Sequence, residues 1–172
     1  YTLNGVEKNE IKYFIKFNII PTVNCINEFK IIEKKNKKIS ICLHYDTGMN
    51  RLGMNFKEMS IIKKKLHTKK IKLKYIISHL ASAEKIDDKY NNVQLQKFKK
   101  IRSIFKNTRL SLCNSSGIFL GSNYLFDMTR PGISLYGGYG NNRIKSLIKD
   151  VIKLKAKIIQ IKKINKNETL GY

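Results

Sequence analysis

Short, nearly continuous apolar runs alternate along this chain with longer segments in which apolar residues recur every three or four positions. NIIPTVN (18–24), ISICLHY (39–45), IKLKYIISHL (71–80), LSLCNSS (110–116) and TRPGISLYGG (129–138) are the strand candidates. Between them INEFKIIEKKN (26–36), FKEMSIIKKKLHT (56–68) and DDKYNNVQLQKFKKIRSIFKN (87–107) carry the helical period, and GIFLGSN (117–123) reads as a short helix. Asp87 or Asp88 stands where a side-chain oxygen can cap the longest of these helices. Strand and helix alternating at this interval predict βα units around a parallel sheet, with strands covered on both faces. From Val151 the pattern changes. VIKLKAKIIQIKKI (151–164) alternates apolar and polar residues, which suits an antiparallel strand with one wet face. A domain boundary near residue 148 follows, dividing the chain into 1–148 and 149–172.

Polar, glycine-containing motifs fall near the ends of these runs: HYDTGMNRLG (44–53), SHLASAE (78–84), NSSG (114–117), FDMTRPGISLYGG (126–138) and ETLGY (168–172). A parallel barrel gathers its catalytic residues at the carboxyl ends of its strands, with a phosphate site commonly after the last two. NSSG and RPGIS occupy that place if their strands are the seventh and eighth. The Ser115 hydroxyl and backbone N–H groups near Gly132 could then hold a phosphate without any lysine. Singly, each motif reads better as ordinary turn residues at a loop start. Their ordered co-occurrence favours an enzyme site.

Composition narrows the partners. The formal charge is +23, yet the basic residues are overwhelmingly lysine, with arginine only at 51, 102, 109, 130 and 143. Nucleic-acid readers favour arginine for its planar fork, so the charge reads as compositional drift and nucleic acid is not the expected partner. No apolar run approaches the roughly 18 residues of a membrane helix, and no membrane role is expected. Cys25, Cys42 and Cys113 are odd in number with no CxxC pair, and His44, His67 and His79 lack metal-ligand spacing. Buried thiols in a reducing, cytoplasmic setting and no metal are the expectation. The chain begins without methionine inside a strand-like context and stops at Tyr172 in another, so both ends look cut.

Taken in order, the motifs resemble those of the alanine racemase family, pyridoxal-phosphate enzymes built as a barrel followed by a β domain. HYDTGMNRLG is similar to the family's K-x-D-T-G-M-x-R-x-G, SHLASAE to T-H-[FL]-A-x-A-[DE], and NSSG to its asparagine–serine loop. FDMTRPGISLYG is similar to M-x-R-x-G-I-x-x-Y-G, and ETLGY to the start of V-S/G-Y-G. The resemblance implies an α/β fold: the later strands of a (β/α)8 TIM-type barrel, then the first strand of a β domain. It also implies an internal fragment, without the cofactor lysine and most of the second domain, and inactive by itself.

Roles follow residue by residue. The resemblance implies pyridoxal 5'-phosphate as cofactor and a two-base interconversion of L- and D-alanine through a Schiff base, supplying D-alanine for peptidoglycan. Tyr172 resembles one base, reaching the partner subunit's cofactor in a homodimer; a phenol with pKa about 10 would need lowering for that role. His79 resembles the histidine linking that tyrosine to the arginine under the ring, and Arg130 resembles that arginine. Ser115, Gly132 and Ile133 resemble the phosphate cradle, with Asn114 shaping its loop. Arg51 resembles the arginine near the cofactor's phenolic oxygen and the substrate carboxylate, while Asp46 reads as a structural residue of its turn. His44 departs from the family, which commonly carries a lysine there whose carbamylated form positions the arginine. A racemase of the same fold for serine or another amino acid remains open, as does a non-catalytic pyridoxal-phosphate-binding barrel protein. The run after Val151 argues against the latter.

Overall fold

Four strands, β1 (Thr22–Val23), β2 (Ile39–His44), β3 (Ile71–Ile77) and β4 (Arg109–Ser111), lie side by side in chain order, every pair parallel. The computed structural model describes residues 1–35, 37–66, 71–169 and 171. A short helix, α1 (Ile11–Lys16), precedes β1, and α2 (Ile26–Lys35), α3 (Phe56–Leu66) and α4 (Lys89–Lys99) fill the three crossovers. Parallel neighbours require such crossovers, so each βα unit read from the sequence closes onto the next strand. The result is a run of consecutive units of a TIM-type barrel.

The helices turn their apolar stripes onto one face of the sheet. α2 buries Phe29 and Ile32, and α3 buries Met59 and Ile62, each pair three residues apart on one helix face. α4 buries Leu95 and Phe98, and the 3-10 turn Lys100–Ser103 extends that stripe through Ile101. These side chains meet Ile41, Leu43, Ile76 and Leu110 of the strands in one core. Burying each large aliphatic or phenyl group contributes about 1.5–3 kcal/mol. Asp88 caps α4, accepting the Tyr90 N–H at 2.8 Å. The helix expected over 87–107 is therefore shorter, an α-helix giving way to a 3-10 turn.

β2 and β3 pair from Ile39↔Ile71 to His44↔Ile77, with a register shift between Ile41 and Cys42. Before β1, Thr2 extends the sheet: its N–H donates to the Ile20 carbonyl at 3.1 Å, and its carbonyl accepts from Thr22 at 3.0 Å.

Two expected strands are not formed. Within 129–138, Ile133–Tyr136 winds into a 3-10 turn. The strand-like pairing to β4 falls earlier: Asp127 N–H donates to the Leu110 carbonyl at 3.0 Å and Arg130 N–H to the Cys113 carbonyl at 3.0 Å. The next N–H, that of Gly132, donates to the Ser115 hydroxyl rather than to a backbone carbonyl, and the pairing ends there. The alternating run 151–164 also forms no strand. Leu154 and Ile159 are 95 % and 97 % exposed, and among the described residues no neighbouring strand pairs with the run. Alternation gives a strand one apolar face, but a strand exists only against a hydrogen-bonding neighbour.

Candidate active site

The loop after β2 is wound around one carboxylate. Asp46 Oδ1 accepts backbone N–H groups from Gly48 at 2.9 Å, Met49 at 3.0 Å and Asn50 at 3.2 Å. Asp46 N–H donates to the Met54 carbonyl at 2.9 Å and Met54 N–H to the His44 carbonyl at 2.8 Å, closing the loop's base. Gly53 stands at φ +106°, where an added Cβ would lie 3.0 Å from both the Asp46 nitrogen and the His44 ring. A side chain fits there neither in conformation nor in space. Arg51 is thus presented, exposed, from a constrained turn.

His44, at the end of β2, donates from Nδ1 to Asn24 Oδ1 at 2.8 Å, leaving Nε2 as the acceptor nitrogen. Burial, reinforced by Arg130, pushes its pKa down to about 4, so the ring is neutral near pH 7. His79 is likewise pushed to about 4, by burial first and then by Arg130 and Arg51. Its Nε2 makes a long 3.4 Å contact with Asn114 Nδ2, while Asn114 Oδ1 holds the Gly117 N–H at 2.8 Å.

Arg130 is mostly buried and among the described residues pairs with no carboxylate. Its guanidinium donates instead to Ser111 Oγ, to the Ser78 carbonyl and, at 3.4 Å, to the Leu112 carbonyl. Neutral acceptors satisfy its protons without cancelling its charge, an arrangement that leaves it ready for an external partner. Burial alone pushes in the direction of proton loss, but arginine stays charged in proteins.

Ser115 Oγ accepts from Gly132 N–H at 2.9 Å and from Ser134 N–H at 3.3 Å. The Ser134 hydroxyl is buried and, among the described residues, has no partner. Ile133, whose backbone N–H is the group expected in this cradle, lies in the chain between the two residues that donate to Ser115.

A cleft of about 90 Å³ collects Leu3, His44, Arg51, Ser78, His79 and Arg130. It shares Leu3, Ile77 and Arg130 with a second hollow of about 250 Å³ that reaches Thr22, Cys42 and Met128. Three separate sequence motifs therefore converge on one opening, and Asn114 adjoins it through His79. Tyr172 lies outside the described residues. Ser111 anchors Arg130 and Ser134 completes the Ser115 cluster; Ser134 falls within FDMTRPGISLYGG without having been singled out, whereas Ser111 carries no motif of its own. For Ser111 the one available signal is a hydroxyl inside an otherwise apolar run. Burial pushes the thiols of Cys42 and Cys113 up, to about 12 and about 11. Among the described residues no cluster of three His, Cys, Asp or Glu could hold a metal ion, and no helix is long and apolar enough to cross a membrane.

The chain is similar to alanine racemases in sequence and in structure. It is 40 % identical over 175 residues to the alanine racemase of Rickettsia africae, an alignment covering 99 % of this chain and 48 % of the relative. It is 40 % identical to that of Rickettsia bellii, covering 99 % and 43 %. The chain thus spans about half the length of the curated relatives it matches. Its structure superposes on Bartonella henselae alanine racemase, crystallised with covalently bound pyridoxal phosphate, with a TM-score of 0.77 at 36 % identity, over 86 % of this chain and 44 % of that one. For the Acinetobacter baumannii enzyme the TM-score is 0.78 at 26 % identity, over 87 % and 44 %. The family model described as alanine racemase, N-terminal domain, matches residues 1–140, and the chain belongs to that family.

Proposed function

We propose that the complete gene product containing this chain interconverts L- and D-alanine with pyridoxal 5'-phosphate. The observation that carries this reading is the convergence of Arg51, His79 and Arg130, from three distant motifs, on one cleft.

The residues present fit the cofactor. Arg130 offers a buried positive charge without a carboxylate partner, suited to a ring nitrogen that accepts but is not protonated. The Ser115 hydroxyl, whose oxygen already accepts the Gly132 N–H, and the Ser134 hydroxyl, unpartnered among the described residues, offer donors for a phosphate. Pyridoxal phosphate supplies an electron sink that makes the α-proton of an amino acid removable.

The chain's own residues then bind and orient. Arg51 faces the substrate carboxylate, for which a guanidinium provides paired donors. His79 is neutral and presents an acceptor nitrogen in the direction of Asn114. Asn114 fixes the turn that carries Ser115. Tyr172 serves as the base on one face of the substrate, opposite a lysine supplied by another part of the protein, and works across a homodimer. The first 148 residues form the barrel portion and 149–172 open a β domain, a division supported by the family match ending at residue 140. The product D-alanine feeds peptidoglycan, which fits a cytoplasmic enzyme.

The test is D-alanine formation from L-alanine by the complete gene product, before and after hydroxylamine strips its carbonyl cofactor. Activity lost on stripping and restored by added pyridoxal phosphate supports the reading. Conversion of L-serine in preference to alanine points to the same fold serving another substrate. Cofactor binding without racemisation of either points to a non-catalytic binding protein.

A further inference from the structure

Gln94 of α4 is 0 % exposed, yet its carboxamide brings two N–H donors and an acceptor that burial would penalise if left unmade. Each is used. Nε2 donates to the His79 carbonyl at 3.0 Å and to Thr47 Oγ1 at 3.1 Å, and Oε1 accepts the Ala81 N–H at 2.9 Å. The carbonyl of residue 79 and the N–H of residue 81 are the two groups that an extended segment turns to the same side. One carboxamide therefore binds 79–81 as a residue of a neighbouring strand would. It does so just where the ladder from β3 runs out, after Ser78 N–H donates to the Ser111 carbonyl at 3.0 Å.

The third arm reaches the other side of the cleft. Thr47 belongs to the turn that presents Arg51, and its hydroxyl lies 2.8 Å from Ser78 Oγ. The Ser78 carbonyl in turn accepts from Arg130. Gln94 thus ties together the backbone carrying His79, the turn carrying Arg51 and, through Thr47 and Ser78, an acceptor of Arg130. Thr47, Ser78 and Ser111 are each buried to within 1 %. A connection this dry and this fully bonded transmits a displacement at one end to the other.

We propose that Gln94 is a positioning residue of the cleft, setting the placement of the His79 ring and of the Arg130 acceptor. Its consequence for turnover rests on the racemase reading, whereas its effect on His79 does not. Core filling alone would make the amide replaceable by an apolar side chain of the same length with His79 unmoved.

The experiment compares the wild-type complete gene product with Gln94→Met, which keeps length and removes every bond. Gln94→Glu keeps an acceptor for Ala81 but turns an oxygen on the His79 carbonyl, and Thr47→Val removes one arm only. The first readout is the His79 imidazole NMR signal without cofactor, assigned by its loss in His79→Asn. It shifts or broadens most in Gln94→Met and less in the other two. The second is pyridoxal-phosphate affinity by absorbance titration, which falls about tenfold in Gln94→Met, the size of one to two lost buried hydrogen bonds. An unshifted His79 signal in folded Gln94→Met overturns the assignment. Should that variant not fold, an unshifted signal in both Gln94→Glu and Thr47→Val does the same. Wild-type protein that binds no pyridoxal phosphate sinks the racemase reading, while the His79 signal still decides the role of Gln94.

Discussion

Ser115 Oγ accepts the Gly132 N–H at 2.9 Å, joining two loops that lie 17 residues apart in sequence. The same oxygen accepts from Ser134, so one hydroxyl organises both N–H groups beside the unpartnered Ser134 side chain. Ser115→Ala in the complete gene product removes that organiser. Pyridoxal-phosphate affinity is expected to fall about tenfold, and thermal stability to drop by the equivalent of about 1–2 kcal/mol, since two bonds of ordinary strength are lost. Cofactor titration beside a melting curve checks both, and an unchanged affinity removes Ser115 from the phosphate site.

Arg130→Lys keeps the charge and loses the fork. A lysine ammonium cannot span Ser111, the Ser78 carbonyl and the Leu112 carbonyl from one planar group. Urea unfolding should show a loss of about 1–3 kcal/mol from the abandoned buried acceptors. A variant as stable as wild type would mean that these bonds do not hold the guanidinium.

The two cleft histidines set a pH dependence with a definite sign. Both have pKa values of about 4 when folded, against 6.5 as the ordinary value. The unfolded chain therefore binds more protons between those limits, and folding becomes less favourable there as pH falls. Stability from these two residues is complete above about pH 6.5 and is lost progressively toward pH 4. Urea midpoints measured from pH 7.5 to 4.5 should decline, and His44→Asn and His79→Asn should each flatten the decline. A slope untouched by both substitutions contradicts the buried, neutral imidazoles.

Gly48→Ala should be costly for two separable reasons. Gly48 sits at φ +129°, and an added Cβ would fall 2.1 Å from the Tyr90 hydroxyl, which itself donates to the Gly48 carbonyl at 2.8 Å. Tyr90→Phe alone should cost about 1 kcal/mol. Combined with Gly48→Ala it removes the collision with the hydroxyl but leaves the ring carbon 3.1 Å from the new Cβ and the backbone conformation unchanged, so at least about 1 kcal/mol of strain stays. A fully rescued double variant would show that space alone demands the glycine.

His44 is neutral near pH 7 and would be a cation if protonated, so in neither form can it hold Arg51 by charge attraction. In the complete gene product, on the racemase reading, His44→Lys is expected to change the alanine KM severalfold and cofactor affinity less. In the unsubstituted protein an alanine KM indifferent to added chloride or bicarbonate counts against a loosely held Arg51.

The sequence displayed the βα rhythm because helix and strand periods depend on neighbours within a few residues. α2 and α3 fall where their periodicity put them, and Asp88 caps α4 as its position suggested. What was not legible depends on partners distant in the chain. Apolar density made 129–138 look like a strand, but the bonds of 127 to Leu110, of 130 to Cys113 and of the Gly132 N–H to the Ser115 hydroxyl decide the outcome. The alternation after Val151 is a preference awaiting a partner. Ser115 stood out as a hydroxyl at the end of an apolar run, whereas Arg51, His79 and Arg130 were picked out only by the motifs' resemblance to the alanine racemase family. Gln94 did not, because it occurs in a helix segment, VQLQKF, whose polar residues look alike until one is buried.

Burial of the cysteines has a chemical consequence for a chamber proposed to hold an aldehyde-bearing cofactor. Sulfur attacks a carbonyl as thiolate, and Cys42 lines the hollow that shares Arg130 with the cleft. With Cys42 pushed to about 12 and Cys113 to about 11, both stay protonated under physiological conditions. The thiol in the wall of that hollow would therefore be a poor nucleophile toward a carbonyl bound beside it, leaving such an electrophile to amines.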